Sequence, residues 1–152
     1  MNRWEGIVLH HTASPDRGTL DWPGIVRYHT EVRGWRDVGY NFGVETVKGN
    51  VVKLVGRPLT MSGAHEPRAN RTHIGIALVG NYSEDDPTVE LLGEVVRSII
   101  APMFYLQDID PDADKAITFH RDWKPTECPG TNFTDWHKTF LRKAVKGFLE
   151  KL

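Results

Sequence analysis

Apolar positions along the chain fall into two patterns that alternate. Short unbroken runs bounded by turn residues predict buried strands, and stripes at three- and four-residue spacing predict helices. Ile7-Val8-Leu9 is a run of the first kind, ending at His10-His11-Thr12, and a polar loop from Ala13 to Gly18 follows. From Trp22 to Val32, Ile25, Tyr28, His29 and Val32 recur at helical spacing. They predict a helix capped by Asp21 or Thr19 and closed by Gly34. Trp35 to Tyr40 reads as a loop, Asn41 to Val47 as a strand, Lys48-Gly49-Asn50 as a turn, and Val51 to Leu54 as the partner strand of a hairpin. Arg57 to Thr72 is irregular and rich in Gly, Pro, Arg and His; a loop of that length in a compact domain is more often functional than idle. Ile74-Gly75-Ile76-Ala77-Leu78-Val79 predicts a buried strand closed by Gly80-Asn81.

The second half repeats the alternation. Thr88 starts a helix reaching about Leu106, with Leu91, Leu92, Val95, Val96, Ile99 and Ile100 on its apolar face and Pro102 as a kink point. An Asp-rich connection spans Asp108 to Asp114. Ala116 to Phe119 is a short strand delivering His120 to its end, and the polar segment to Cys128, carrying Pro125, is a loop. Thr134 caps a final helix to about Leu149 with Phe140, Leu141, Val145, Phe148 and Leu149 inward. Strands mixed with helices, one hairpin included, predict an α/β fold: a central mixed sheet flanked by helices. No repeat or linker divides the chain, so residues 1–152 read as one domain.

Composition narrows the function classes. The formal net charge of −1 gives no reason to expect a nucleic-acid partner. No stretch approaches the roughly 20 apolar residues that span a bilayer, so stable membrane insertion is not expected. The N-terminus lacks the layout of a signal peptide, from which a cytoplasmic location is expected. The single cysteine, Cys128, cannot form an internal disulfide and is left for packing, metal binding or nucleophilic chemistry. His120 and Cys128 converge from a strand end and its loop, offering an imidazole and a thiolate to a borderline-soft metal such as zinc. The third ligand belongs at the end of another central strand. His10 and His11 both occupy such a place, and alternation lets only one of them face a given side.

Five pieces then carry a family resemblance in order: Val8 to Ala13, Gly39-Tyr40-Asn41-Phe42, Gly63-Ala64-His65, Ile74 to Asn81, and His120-Arg121-Asp122 with Cys128-Pro129-Gly130. Together they resemble the zinc-dependent N-acetylmuramoyl-L-alanine amidases, a family that includes peptidoglycan recognition proteins and small phage lysozymes of the amidase type. The resemblance implies one zinc held by His10, His120 and Cys128, with His11 pointing to the other side. It implies Tyr40 as an oxyanion donor, and Thr126 at the position where phage members often carry a lysine. His65 then falls near the substrate groove, with Trp35 and Asn70 as weaker candidates for muropeptide contact. Glu127 is a further candidate base. His29 and His137 are expected to be structural, and the basic last helix to be a solvated face. The implied activity is hydrolysis of the bond between the lactyl group of N-acetylmuramic acid and L-alanine, by a monomer acting on bacterial peptidoglycan. The implied setting is that of a phage endolysin released from the host cytoplasm when the membrane is breached. The rival readings are a non-catalytic peptidoglycan-binding module and a cysteine hydrolase using Cys128 and His120.

Overall fold

A computed structural model describes residues 3–152. Five strands form one sheet: β1 (Gly6–His11), β2 (Phe42–Val47), β3 (Asn50–Val55), β4 (His73–Leu78) and β5 (Ile117–Phe119). Their order is β3-β2-β4-β1-β5, antiparallel within the β2–β3 hairpin and parallel elsewhere. The hairpin turns on Lys48 and Gly49, both at positive φ, the conformation a two-residue turn demands. β1 lies between two parallel neighbours and is buried along its whole length. This is why its apolar run does not alternate with polar residues.

The sheet's two faces differ in the size of their side chains. In β4, Ile74, Ile76 and Leu78 join Ile7, Leu9, Ile117 and Phe119 in the main core. Against that core pack α2 (Val89–Val95), α3 (Ala101–Gln107) and α4 (Asp135–Leu149). The alternate positions, Gly75 and Ala77, with Gly43 in β2, leave the opposite face low. There α1 (Trp22–Arg27) lays Trp22 over Gly43 so closely that a β-carbon on Gly43 would lie 2.4 Å from the indole. A smaller core of Trp22, Val38, Ala77 and Val79 results, and the space beyond it is the cleft described below.

Two of the three predicted helices contain a wider turn that the apolar spacing did not predict. α1 continues through a π-turn, Tyr28–Val32, whose Arg33 N–H donates to Tyr28 five residues back. The added residue rotates Val32 and Tyr28 outward, to 71% and 52% exposure, and turns His29 inward. A second π-turn, Val96–Ile100, joins α2 to α3 and ends just before Pro102, which sits in the first turn of α3 and does not break the helix. The cap of α1 also differs from expectation. Asp21 makes no side-chain cap; the buried Glu45 carboxylate accepts the Asp21 and Trp22 N–H groups at 2.6 and 3.2 Å. At α4, the Thr134 N–H is taken by His137 Nδ1 at 3.1 Å, so His137 is structural as expected. The basic residues of α4 are partly engaged with the chain itself: Lys138 pairs with Asp122 at 2.7 Å and Lys146 with Asp112 at 2.5 Å. No helix of the described residues is long and apolar enough to cross a membrane.

Candidate metal centre and cleft

The parallel register brings the donor atoms together. Leu9 pairs with Phe119, so His10 and His120 leave adjacent strand ends side by side, their rings 4.4 Å apart. The loop after the short turn His120–Asp122 returns Cys128 to the same point, held by the Arg121 N–H donating to the Cys128 carbonyl at 3.0 Å. One ligand atom from each of His10, His120 and Cys128 lies within 4.8 Å of the others. Cys128 Sγ is 3.8 Å from His10 Nδ1, close to the roughly 3.5 Å that separates sulfur and nitrogen on a tetrahedral zinc. The donors and their spacing therefore fit that ion.

The surrounding hydrogen bonds decide which way each imidazole offers its lone pair. His65 Nε2 lies 3.0 Å from the His73 carbonyl, which can only accept, so Nε2 carries the His65 proton and Nδ1 is bare. His65 Nδ1 in turn accepts from His10 Nε2 at 3.0 Å, leaving His10 Nδ1 bare and directed at the donor set. On the other arm, His120 Nε2 donates to Glu66 Oε2 at 3.0 Å, leaving its Nδ1 bare. Burial, together with neighbouring histidines, lowers the His10 pKa well below the usual value, and burial holds His65 at about 4. Burial lowers the His120 pKa too, against the opposing pull of Glu66. All three rings are therefore neutral near pH 7, the form that binds metal. Burial raises the Cys128 thiol to about 11, while the His11 N–H donates to Sγ at 3.4 Å.

The ring of His65 has a fitted seat. A β-carbon on Gly75 would lie 2.5 Å from its Cδ2, and one on Gly63 would lie 2.6 Å from the same atom. Both positions must be glycine for the ring to reach His10. Asn70 closes the loop by accepting the His65 and Glu66 N–H groups at 2.7 and 2.8 Å. These bonds give both His65 and Asn70 a role within the protein itself, and both remain in the cleft lining. Both nitrogens of His65 are occupied, so it serves His10 and has none to offer a ligand in the groove. Asn70 spends its carbonyl on the loop, although it still lines the cleft.

The cleft over this centre has a volume of about 980 Å³, with Tyr40, Trp35 and Thr126 in its lining. Tyr40 stands with its ring 5.2 Å from His10, on a backbone fixed by Asn41, which is fully buried and exchanges three hydrogen bonds with Gly75 and Arg57. Burial, then the neighbouring Cys128, pushes the phenol up to about 12. Thr126 Oγ1 accepts the Cys128 N–H at 3.3 Å, which leaves its own proton free. Glu127 lines the cleft exposed, accepting from the Ser83 hydroxyl at 3.4 Å. His11 turns away, its Nδ1 accepting the Tyr82 N–H at 3.1 Å.

Glu66 and His29 were not legible as site residues. Glu66 is 2% exposed, a buried carboxylate whose only signal was the need of a ligand imidazole for an acceptor behind it. His29 is not merely structural: the π-turn sets it between Trp35 and Tyr40 in the cleft wall. A π-turn is not visible in apolar spacing.

Residues 1–131 match the family of N-acetylmuramoyl-L-alanine amidases. The chain is 33% identical to peptidoglycan-recognition protein LB of Drosophila melanogaster, over 82% of this chain and 53% of that one. It is 31% identical to the N-acetylmuramoyl-L-alanine amidase of Homo sapiens, over 88% of this chain and 24% of that one. It thus spans about half the length of the first relative and about a quarter of the second. The solved structure of an endolysine N-acetylmuramoyl-L-alanine amidase from Clostridium intestinale superposes with a TM-score of 0.73 at 28% identity, covering 92% of this chain and 84% of the other.

Proposed function

Because the chain belongs to the N-acetylmuramoyl-L-alanine amidase family, we propose that it is a zinc-dependent hydrolase cleaving the amide between the lactyl group of N-acetylmuramic acid and the L-alanine of the stem peptide. The observation that carries this reading is the direction of the lone pairs: two hydrogen-bonded arms, ending at the His73 carbonyl and at Glu66, aim His10 Nδ1 and His120 Nδ1 at Cys128. A zinc ion held by these three residues, one per chain, supplies Lewis-acid polarisation of the amide carbonyl and acidifies water.

The chain's own groups do the rest. Tyr40, protonated throughout the neutral range, donates to the carbonyl oxygen as negative charge grows there. Thr126 directs its free hydroxyl proton to the same region as a second donor. Unlike a lysine, it adds no charge. His65 and Glu66 keep the ligand rings from rotating. We take residues 1–152 as one amidase domain acting as a monomer on bacterial peptidoglycan, in an endolysin setting like that of the clostridial amidase. A cysteine nucleophile is a poorer account, because burial keeps the Cys128 thiol protonated and the mechanism leaves the arm behind His10 without a purpose.

Digestion of purified bacterial wall by zinc-loaded protein tests the reading. New L-alanine amino termini paired with free lactyl carboxylates, lost on chelation and restored by zinc, are expected. Wall binding without new ends would mean a recognition module. Cleavage by metal-free protein would mean the cysteine mechanism.

A further inference from the structure

The cleft lining carries charges of both signs: Glu66, Glu84 and Glu127 are its acids, and Arg33 and Lys124 are its cations. Neither Arg33 nor Lys124 forms a salt bridge among the described residues. Arg33 is the better placed of the two, because its guanidinium is pinned 4.6 Å over the Trp35 ring. Trp35 packs 4.7 Å from the ring of His29, and His29 packs 5.6 Å from that of Tyr40. A stack of rings thus leads from the proposed oxyanion donor outward to a cation. A guanidinium seated against an indole by its cation–π attraction, and not spent on a salt bridge, has N–H groups to offer a planar anion.

His29 adds a second donor to this wall. Its Nδ1 accepts the Gly39 N–H at 3.0 Å, so its proton sits on Nε2. That N–H has no acceptor among the described residues, and His29, 9% exposed as a residue, lines the cleft. Burial, then the charges of Arg33 and Arg57, lowers the His29 pKa, so the ring remains a neutral donor near pH 7. Facing the cleft, this N–H is left to water until a ligand supplies the acceptor.

The amidase reading supplies a substrate with an end to match. The lactyl-linked sugar carries no ionised group near the scissile bond. The peptide does: its second residue is a glutamate joined through its γ-carboxyl, so the α-carboxyl is either free or amidated. Resting on that reading, we infer that Arg33, with the His29 Nε2–H beside it, binds the free carboxylate of the second stem residue. This wall therefore takes the peptide, and stem peptides whose second residue is not amidated are preferred.

Two muramyl tripeptides identical except for D-glutamate or D-isoglutamine at the second position test this directly. Zinc-loaded wild type should favour the acid by roughly tenfold or more in kcat/KM, with the difference carried by KM, as expected for a charge-assisted bidentate contact in an open cleft. In Arg33→Gln the ratio should fall toward one. Arg33→Lys should keep part of it, because charge remains and the fork does not. Equal use of the two substrates by wild type, or an acid preference that survives Arg33→Gln, overturns the inference. If neither tripeptide is cleaved, calorimetric binding of the same pair decides. Acid-selective binding lost in Arg33→Gln upholds the carboxylate site while the amidase reading fails. Equal binding, or none, rejects the site as well.

Discussion

Replacing Glu66 by alanine removes one arm of the centre and leaves the three proposed ligands in place. The Glu66–His120 hydrogen bond is 3.0 Å long, with side-chain exposures of 3% for Glu66 and 15% for His120, so water competes little for it. A buried, charge-assisted hydrogen bond of this kind contributes about 1.5–3 kcal/mol. With it gone, the His120 ring is free to turn its proton toward the donor set. Zinc affinity near pH 8, read by competition with a chelator, should therefore fall roughly 10- to 100-fold, the range usual for loss of a partner behind a metal ligand. Glu66→Gln should lose less, because its amide oxygen can still accept from Nε2. The pH dependence separates this cause from general damage. Burial lowers the His120 pKa, and the Glu66 carboxylate opposes that by stabilising the protonated ring. Without Glu66 the pKa falls further, so protons displace the metal only at lower pH. Because the Cys128 thiol must give up its proton to bind zinc, affinity climbs with pH in both proteins up to about 11. The variant should bind more weakly at pH 8, yet the extra steepening of the acid limb from His120 protonation should set in at lower pH than in wild type. An affinity at pH 8 within threefold of wild type, or a steepening moved to higher pH, would refute the account of this arm.

Two further outcomes follow from the same geometry. Tyr40→Phe should retain zinc and thermal stability while kcat falls about 10²–10³-fold, the usual cost of one oxyanion donor; an unchanged rate returns Tyr40 to a packing role. Gly75→Ala would place its β-carbon 2.5 Å from the His65 ring. It should cost roughly 1–3 kcal/mol in denaturant unfolding and weaken zinc binding by displacing His65 from His10; normal affinity would mean that the seat of His65 is slack.

The elements that the sequence made plain are those whose burial is nearly uniform. β1 and β4 stood out because both faces of each strand are covered, and the helices because their apolar stripes are wide. The choice between His10 and His11 was open on alternation alone and came from the family resemblance. What escaped was long-range or local in ways that side-chain polarity does not encode. Glu45 caps α1 from 24 residues away, and Glu66 reaches His120 across 54. The π-turn that brings His29 and Arg33 into the cleft wall is a single added residue within a helix whose pattern still reads as regular. His65 was legible as a site residue but not in its role, because its two partners, His10 and the His73 carbonyl, lie on neighbouring strands that only the folded sheet brings together.

The alternation of large and small residues in β4 also has a consequence for how the chain tolerates insertions and deletions. A one-residue slip of a strand exchanges its faces. In β4 the slip would leave Gly75 and Ala77 beneath α2 and α3, hollowing the core. It would also drive Ile74, Ile76 or Leu78 into the space that holds the imidazole of His65. Either half of the error is costly, and each is sensed by a different part of the molecule. The strand works as a two-sided key: the register that fills the helical side is the one that leaves room for His65, so correct folding and a correctly aimed His10 are checked by the same six residues.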